Sequence, residues 1–120
     1  MIDLKKLEKD LISEIKLSPL QAQVFLLVNY NGKMSPDKIS QILHISYDDA
    51  LQTSKELINL GAFIDISENE FEAMHPRFTA VNMYRKRCQL DNVEFKRNKV
   101  VDNIGTILEK AYDDARTKYR

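Results

Sequence analysis

The 120-residue chain has few of the residues that interrupt helices or cross-link chains. Cys88 is the single cysteine, so no disulfide can form within the chain, which suits a reducing cytosol. Glycine and proline occur only three times each, and their scarcity favours helix. No apolar run approaches the roughly 20 residues of a membrane span, and the N-terminus lacks a signal-peptide pattern. We therefore expect a cytoplasmic protein with no membrane partner.

An excess of charge of either sign is also missing. Lysine and arginine total 18, aspartate and glutamate total 18, and the formal net charge is zero. This balance argues against a protein that coats nucleic acid nonspecifically, although a zero total can hide local patches.

The residue patterns of enzymes and metal sites are absent from the sequence. His44 and His75 have no cysteine or carboxylate partners at metal-ligand spacing. There is no glycine-rich phosphate loop and no G-x-S-x-G motif. Cys88 sits at an apolar helical position, which indicates packing rather than catalysis or redox sensing. We expect no catalytic activity, no cofactor and no metal.

The segment SYDDALQTSKELINLG predicts one helix with both ends marked. Ser46 is a candidate N-cap with Asp49 at capping-box spacing, and Gly61 can take the left-handed conformation that ends a helix. The apolar residues between them recur at helical spacing and predict a buried stripe. That stripe comprises Ala50, Leu51, Ser54, Leu57 and Ile58.

Two earlier helices begin with a similar signal. Ser18-Pro19 and Ser35-Pro36 place a capping serine before a proline in the first helical turn. An amphipathic stripe over residues 2–16 predicts a further helix, which we expect to pack on its own domain. Three serine-started helices joined by short turns indicate a helix-turn-helix core.

After Gly61 the apolar pattern alternates. Residues 62–67 and 71–75 read as two strands around the polar segment 68–70, which predicts a β-hairpin. A hairpin that follows such a core predicts a mainly α, winged helix-turn-helix domain over residues 1–76, with the hairpin as its wing.

Residues 77–120 predict a helical extension. Asp91 and Glu94 have capping-box spacing, so a break near residues 90–92 is allowed. The second part carries a coiled-coil-like seam of about three heptads. Because a small domain offers little surface to cover this seam, we expect a partner, most simply a second copy of the chain. The residues assigned to dimerisation are Val93, Val100, Ile104, Ile107, Leu108 and Ala111.

Residues 17–76 resemble the N-terminal winged-helix domain of TrmB-like transcriptional regulators, which are common in archaea. The matching features are L-S-P-x-x-A at 17–22, S-P-D-K-I-S-Q-I-L at 35–43, L-x-x-L-G at 57–61 and an aromatic-x-A-x-x-P strand at 71–76. The resemblance implies sequence-specific binding of double-stranded DNA as a homodimer. Larger members carry a sugar-binding effector domain, and that function is not carried over to this chain.

The first functional hypothesis is therefore a dimeric transcriptional regulator that places the helix after Ser46 in the major groove. There Gln52 suits adenine, and Lys55 suits guanine or phosphate. Seven basic and two acidic residues lie between Pro76 and Val101, and such groups supply affinity for phosphates. The candidate DNA-binding residues are Lys33, Lys38, Tyr47, Gln52, Thr53, Lys55, Arg85, Lys86 and Arg87.

The alternative hypothesis is a winged-helix module that binds another protein, in the transcription apparatus, with little or no DNA binding. Four carboxylates and no lysine or arginine lie between Ala62 and His75, so the hairpin should repel phosphate. Asp48 and Asp49 act in the same direction, although both suit the start of a helix. The sequence does not identify a small-molecule effector. Candidate residues to line an effector site are Tyr84, Tyr112 and Tyr119.

Overall fold

The computed structural model describes residues 4–67 and 69–117. These residues form a mainly helical fold with a small antiparallel sheet, as predicted. None of the described helices is long and apolar enough to cross a membrane. Residues 2 and 3 of the first predicted helix, Glu68 and Tyr119 lie outside the described residues. The elements are α1 (Leu4–Ile15), α2 (Pro19–Asn31), β1 (Lys33–Met34), α3 (Pro36–Leu43), α4 (Tyr47–Asn59), β2 (Phe63–Ser67), β3 (Glu70–Ala73), α5 (Pro76–Leu90) and α6 (Lys99–Thr117).

The three predicted serine caps are confirmed. Ser18 begins α2 with a complete capping box, because its hydroxyl accepts from the Gln21 amide and its own amide donates to the Gln21 side chain. The Ser35 and Ser46 hydroxyls accept from backbone amides of the first turns of α3 and α4, at 3.2 and 3.0 Å. Each cap satisfies a donor that the helix itself cannot pair.

The end of α4 follows from Gly61, as predicted. This glycine has φ +86°, and its amide donates to the Ile58 carbonyl at 3.0 Å. The next amide, of Ala62, donates to the Leu57 carbonyl at 2.9 Å. The two bonds form a Schellman motif, which stops the helix and turns the chain into β2.

The sheet has the order β1-β3-β2. The predicted hairpin is confirmed as β2 and β3, with Phe63 opposite Ala73 and an irregularity between Asp65 and Ser67. β1 was not predicted. It has two residues, paired with Glu72 and Phe71 of β3, and so short a strand carries no alternating pattern in the sequence.

The predicted break before the last helix is longer than expected. α5 ends at Leu90, and residues 91–98 are not helical. Asn98, rather than Asp91, caps α6, because its side-chain oxygen accepts from the amides of Val100 and Val101 at 2.9 and 3.2 Å. We call residues 91–98 the α5–α6 connection.

The apolar seam of α6 is covered by the chain itself, which differs from the prediction. α6 packs on α1, α2 and α5. Ile104 and Leu108 are fully buried, Ala111 is nearly so, and Ile107 packs against the same core. Val93 lies in the α5–α6 connection and, like Val100, is exposed. The spacing marked the buried face from Ile104 onward but not at Val93 and Val100, and it could not show that the covering surface belongs to the same chain.

Candidate functional site

The outward face of α4 is an exposed part of the predicted site. Ala50, Ser54 and Leu57 point into the core, whereas Gln52 and Lys55 are exposed on the other side. α3 leads into α4 through a short turn at His44, which has φ 58°. Tyr47, Asp48 and Asp49 are exposed in the first turn of α4. Within the part of the chain that the structure describes, α4 therefore has one face in the core and one exposed face.

Thr53 does not belong to this face. The residue is 5% exposed, so it does not lie on the outward surface where the sequence placed it, and we leave it out of the candidate DNA surface. Thr53 follows Ala50 by three positions and precedes Leu57 by four, and both spacings place it on the buried stripe. The sequence already contained this signal.

Gln52 is held by a series of side-chain hydrogen bonds on the surface of α4. Its side-chain amide donates to one oxygen of Glu56 at 3.2 Å, and the amide of Gln21 donates to the other oxygen at 3.0 Å. Gln21 thus has two roles, since it also completes the cap of α2. The link ties α4 to the start of α2, and this contact is one that the sequence did not show.

Lys55 lies at a groove between α4 and the hairpin. The groove has a volume of about 380 Å³. Its walls are Leu51 and Lys55 of α4 and Asp65, Ile66 and Ser67 of β2, with Phe71 below. Ile64 and Ile66 are exposed on β2. Lys55 therefore places its charge next to an apolar edge of the hairpin and near a carboxylate.

The other predicted basic residues separate into two groups. Lys38 is exposed in the first turn of α3, and Lys33 in β1 lies opposite Glu72. Both are near the start of the α3–α4 pair.

Lys86 and Arg87, by contrast, bind the ends of other helices. The Lys86 ammonium donates to the Asn59 carbonyl at the C-terminus of α4. The Arg87 guanidinium donates to the carbonyls of Ile15 and Lys16, at 3.3 and 3.5 Å. A cation at a helix C-terminus satisfies unpaired carbonyls and suits the helix dipole. α4 has 13 residues, so its C-terminus is about 18 Å from Tyr47.

Arg85 lies apart from both of these groups. Its guanidinium lies over the ring of Phe95, 4.8 Å from the centroid, beside α5 and the α5–α6 connection. The predicted trio Arg85, Lys86 and Arg87 therefore does not form one surface with Tyr47 and Gln52.

The surface of the α3–α4 pair and the hairpin is acidic in balance. Between Lys33 and His75 the sequence has three basic residues and eight acidic ones. Asp37, Asp48, Asp49, Asp65 and Glu70 are all exposed. A surface with this charge attracts cations and opposes phosphates.

The remaining titratable and aromatic candidate residues are buried or line a cleft away from α4. Cys88 is buried, and among residues 4–67 and 69–117 no three histidine, cysteine or carboxylate side chains could together hold a metal. Tyr112 is buried against His75, with ring centroids 5.0 Å apart. Tyr84 instead lines a cleft between α5 and α6.

A scan against protein-family models and searches among curated proteins and solved structures find no match to this chain. The resemblance of residues 17–76 to TrmB-like regulators thus remains a prediction.

Proposed function

We propose that this chain is a DNA-binding regulator of the winged helix-turn-helix class, with α4 as its recognition helix and the β2–β3 hairpin as its wing. The observation that carries the proposal is the free outward face of α4. Among the described residues, this exposed polar face stands beside a short turn from α3 and a hairpin. The major groove of B-DNA is about 12 Å wide and admits a helix presented in this way.

Within this proposal the exposed side chains have separate roles. Gln52 reads an adenine edge after it exchanges its bond with Glu56 for the base. Lys55 reaches guanine or phosphate from the groove beside the hairpin. Lys33 and Lys38 contact phosphates near the start of α3. Because carboxylates surround these groups, nonspecific affinity is low, and base contacts by α4 supply most of the discrimination.

A second copy of the chain remains part of the proposal, since two half-sites increase specificity. Its contact surface differs from the predicted seam, because Ile104 and Leu108 are buried within the chain. The exposed apolar residues Leu90, Val93 and Val100, at the ends of the α5–α6 connection, are available for such a contact.

The test begins with selection of bound sequences from a random DNA pool, followed by fluorescence anisotropy on the selected duplex. Gln52→Ala and Lys55→Ala should lower the ratio of specific to nonspecific affinity by about 5- to 100-fold. Lys110→Ala is the matched control, because Lys110 is exposed on α6 and pairs with Asp114. Failure to enrich any sequence, or equal loss in the control, would refute the assignment of α4.

The acidic balance of the same surface favours a second candidate function. A winged-helix module that binds a basic segment of another protein would use Asp48, Asp49 and the carboxylates of the hairpin. This candidate predicts no DNA binding at low salt. It also predicts salt-sensitive binding of lysine-rich peptides that Asp48→Asn with Asp49→Asn weakens. The two functions therefore give opposite results in one anisotropy experiment.

A further inference from the structure

One cleft among the described residues lies away from α4. It has a volume of about 740 Å³ and is bounded by α5, α6 and the α5–α6 connection. Pockets for small organic ligands are typically about 300–1,000 Å³ in volume. The cleft is therefore large enough for a ligand, and neither proposed function uses it.

The walls of the cleft are aromatic and only partly covered. Phe78 is 69% exposed and Phe95 is 40% exposed. The rings of Tyr84 and Phe95 lie 5.9 Å apart at 51°, and the imidazole of His75 meets Phe78 edge-on at 5.8 Å. Exposed aromatic area is unfavourable in water at about 25 cal/mol per Å². A flat apolar ligand that covered these rings would remove that cost.

Three arginines line the cleft, and two of them form ion pairs with carboxylates. Arg77 pairs with Glu109 at 3.4 Å, and Arg97 pairs with Asp102 at 2.8 Å. The hydrogen bond that Arg97 donates to Asp102 also raises the pKa of Arg97 above its ordinary value. Arg85 differs, because within the described residues no carboxylate is paired with its guanidinium, which instead lies over Phe95.

We propose that this cleft binds a small aromatic carboxylate. Its ring lies against Phe95 and Phe78, and its carboxylate accepts two hydrogen bonds from Arg85. Arginine suits this role because its planar fork matches a carboxylate. A cationic ligand is disfavoured, since Asp102 and Glu109 are already paired with arginines.

The binding test uses 1-naphthoate as the probe and the full chain labelled with ¹⁵N. Amide shifts are followed by two-dimensional NMR during titration. We expect saturable shifts along Tyr84, Phe95 and Val101, with a Kd of about 1 mM or below. The neutral 1-naphthalenemethanol and the cationic 1-naphthylmethylammonium should bind at least about tenfold more weakly, because the alcohol has one uncharged acceptor in place of a carboxylate and the ammonium has none.

Two variants test how the side chains that line the cleft contribute to binding. Arg85→Met keeps an extended apolar stem but removes the cation, and it should weaken 1-naphthoate about tenfold while leaving the neutral probe unchanged. Phe95→Leu should weaken both probes. Lys110→Met is the matched control, because it removes one exposed cation from the outer side of α6.

Four results would overturn the proposal. They are no saturable shifts with about 10 mM 1-naphthoate, saturable shifts confined to another surface, equal affinity for all three probes, and an unchanged affinity in Arg85→Met. The titration contains no DNA, so its outcome is independent of the role proposed for α4.

Discussion

Gly105 of α6 lies directly against the backbone of Arg77 in α5. A Cβ added at Gly105 would be 2.8 Å from the Cα of Arg77 and 3.1 Å from the carbonyl oxygen of Pro76. No side chain fits between two helix backbones at that distance. This glycine therefore permits the close approach by which α6 folds back onto α5, and it gives the apolar face of α6 a partner within the chain.

Gly105→Ala should lower the free energy of unfolding. Alanine favours helix by up to about 1 kcal/mol relative to glycine, but overpacking against a backbone costs about 1–3 kcal/mol, so the steric cost should exceed the gain. Urea denaturation measures the difference. Asn103→Ala is the control, because Asn103 is exposed on the same helix. A Gly105→Ala protein more stable than the original would show that α5 and α6 are not so close.

Ile104→Ala separates burial within the chain from burial in a dimer. Because Ile104 is fully buried in this core, its truncation should cost about 2–5 kcal/mol, and the loss should not depend on protein concentration. Val100→Ala, at an exposed position of the same helix, should cost far less. A midpoint that moves with protein concentration in the original protein but not in Ile104→Ala would instead support the seam as a dimer contact.

Arg87→Ala should destabilise the fold without a specific effect on DNA. The guanidinium donates to two carbonyls at the end of α1, and the loss of hydrogen bonds from a charged group costs about 1–3 kcal/mol. Thermal unfolding measures the loss, and anisotropy at a temperature where the variant is folded measures DNA affinity. Arg85→Ala is the comparison for stability, because among the described residues the guanidinium of Arg85 binds no carbonyl. Weaker DNA binding by a fully folded Arg87→Ala protein would contradict this role.

The salt dependence of DNA binding should be shallow. Each neutralised phosphate contributes about −0.9 to the slope of log K against log salt. Only Lys33, Lys38 and Lys55 supply basic side chains between residues 33 and 75, so the slope per chain should be about −3 or less steep. Anisotropy at several salt concentrations gives this number. A slope of about −6 would show that the basic residues of α5 also contact phosphates.

Much of the fold was readable from local signals. The helix starts at Ser18, Ser35 and Ser46 and the stop at Gly61 depend on bonds that span about one helical turn. The hairpin follows from alternating residues on either side of a polar segment. Such interactions join residues close in sequence, so residue order contains them.

The candidate site was predicted less completely. Tyr47, Gln52 and Lys55 lie on the free face of α4, as their spacing implied. Thr53 was misplaced although its spacing to Ala50 and Leu57 was informative. The contact of Glu56 with Gln21 joins helices far apart in sequence, and no local pattern announces it.

The amino-acid sequence by itself determined which segments become helices, where α2, α3 and α4 begin, where α4 ends, and which face of α4 is apolar. Only the tertiary structure decided what covers the apolar faces. In it, Gly105 allows α6 to pack on α5 of the same chain. Lys86 and Arg87 bind carbonyls at the ends of other helices, and Arg85 lies beside Phe95 in a cleft. The physical reason is that apolar burial is not directional. A periodic stripe requires a partner surface, whereas close packing between elements distant in sequence selects which surface it is.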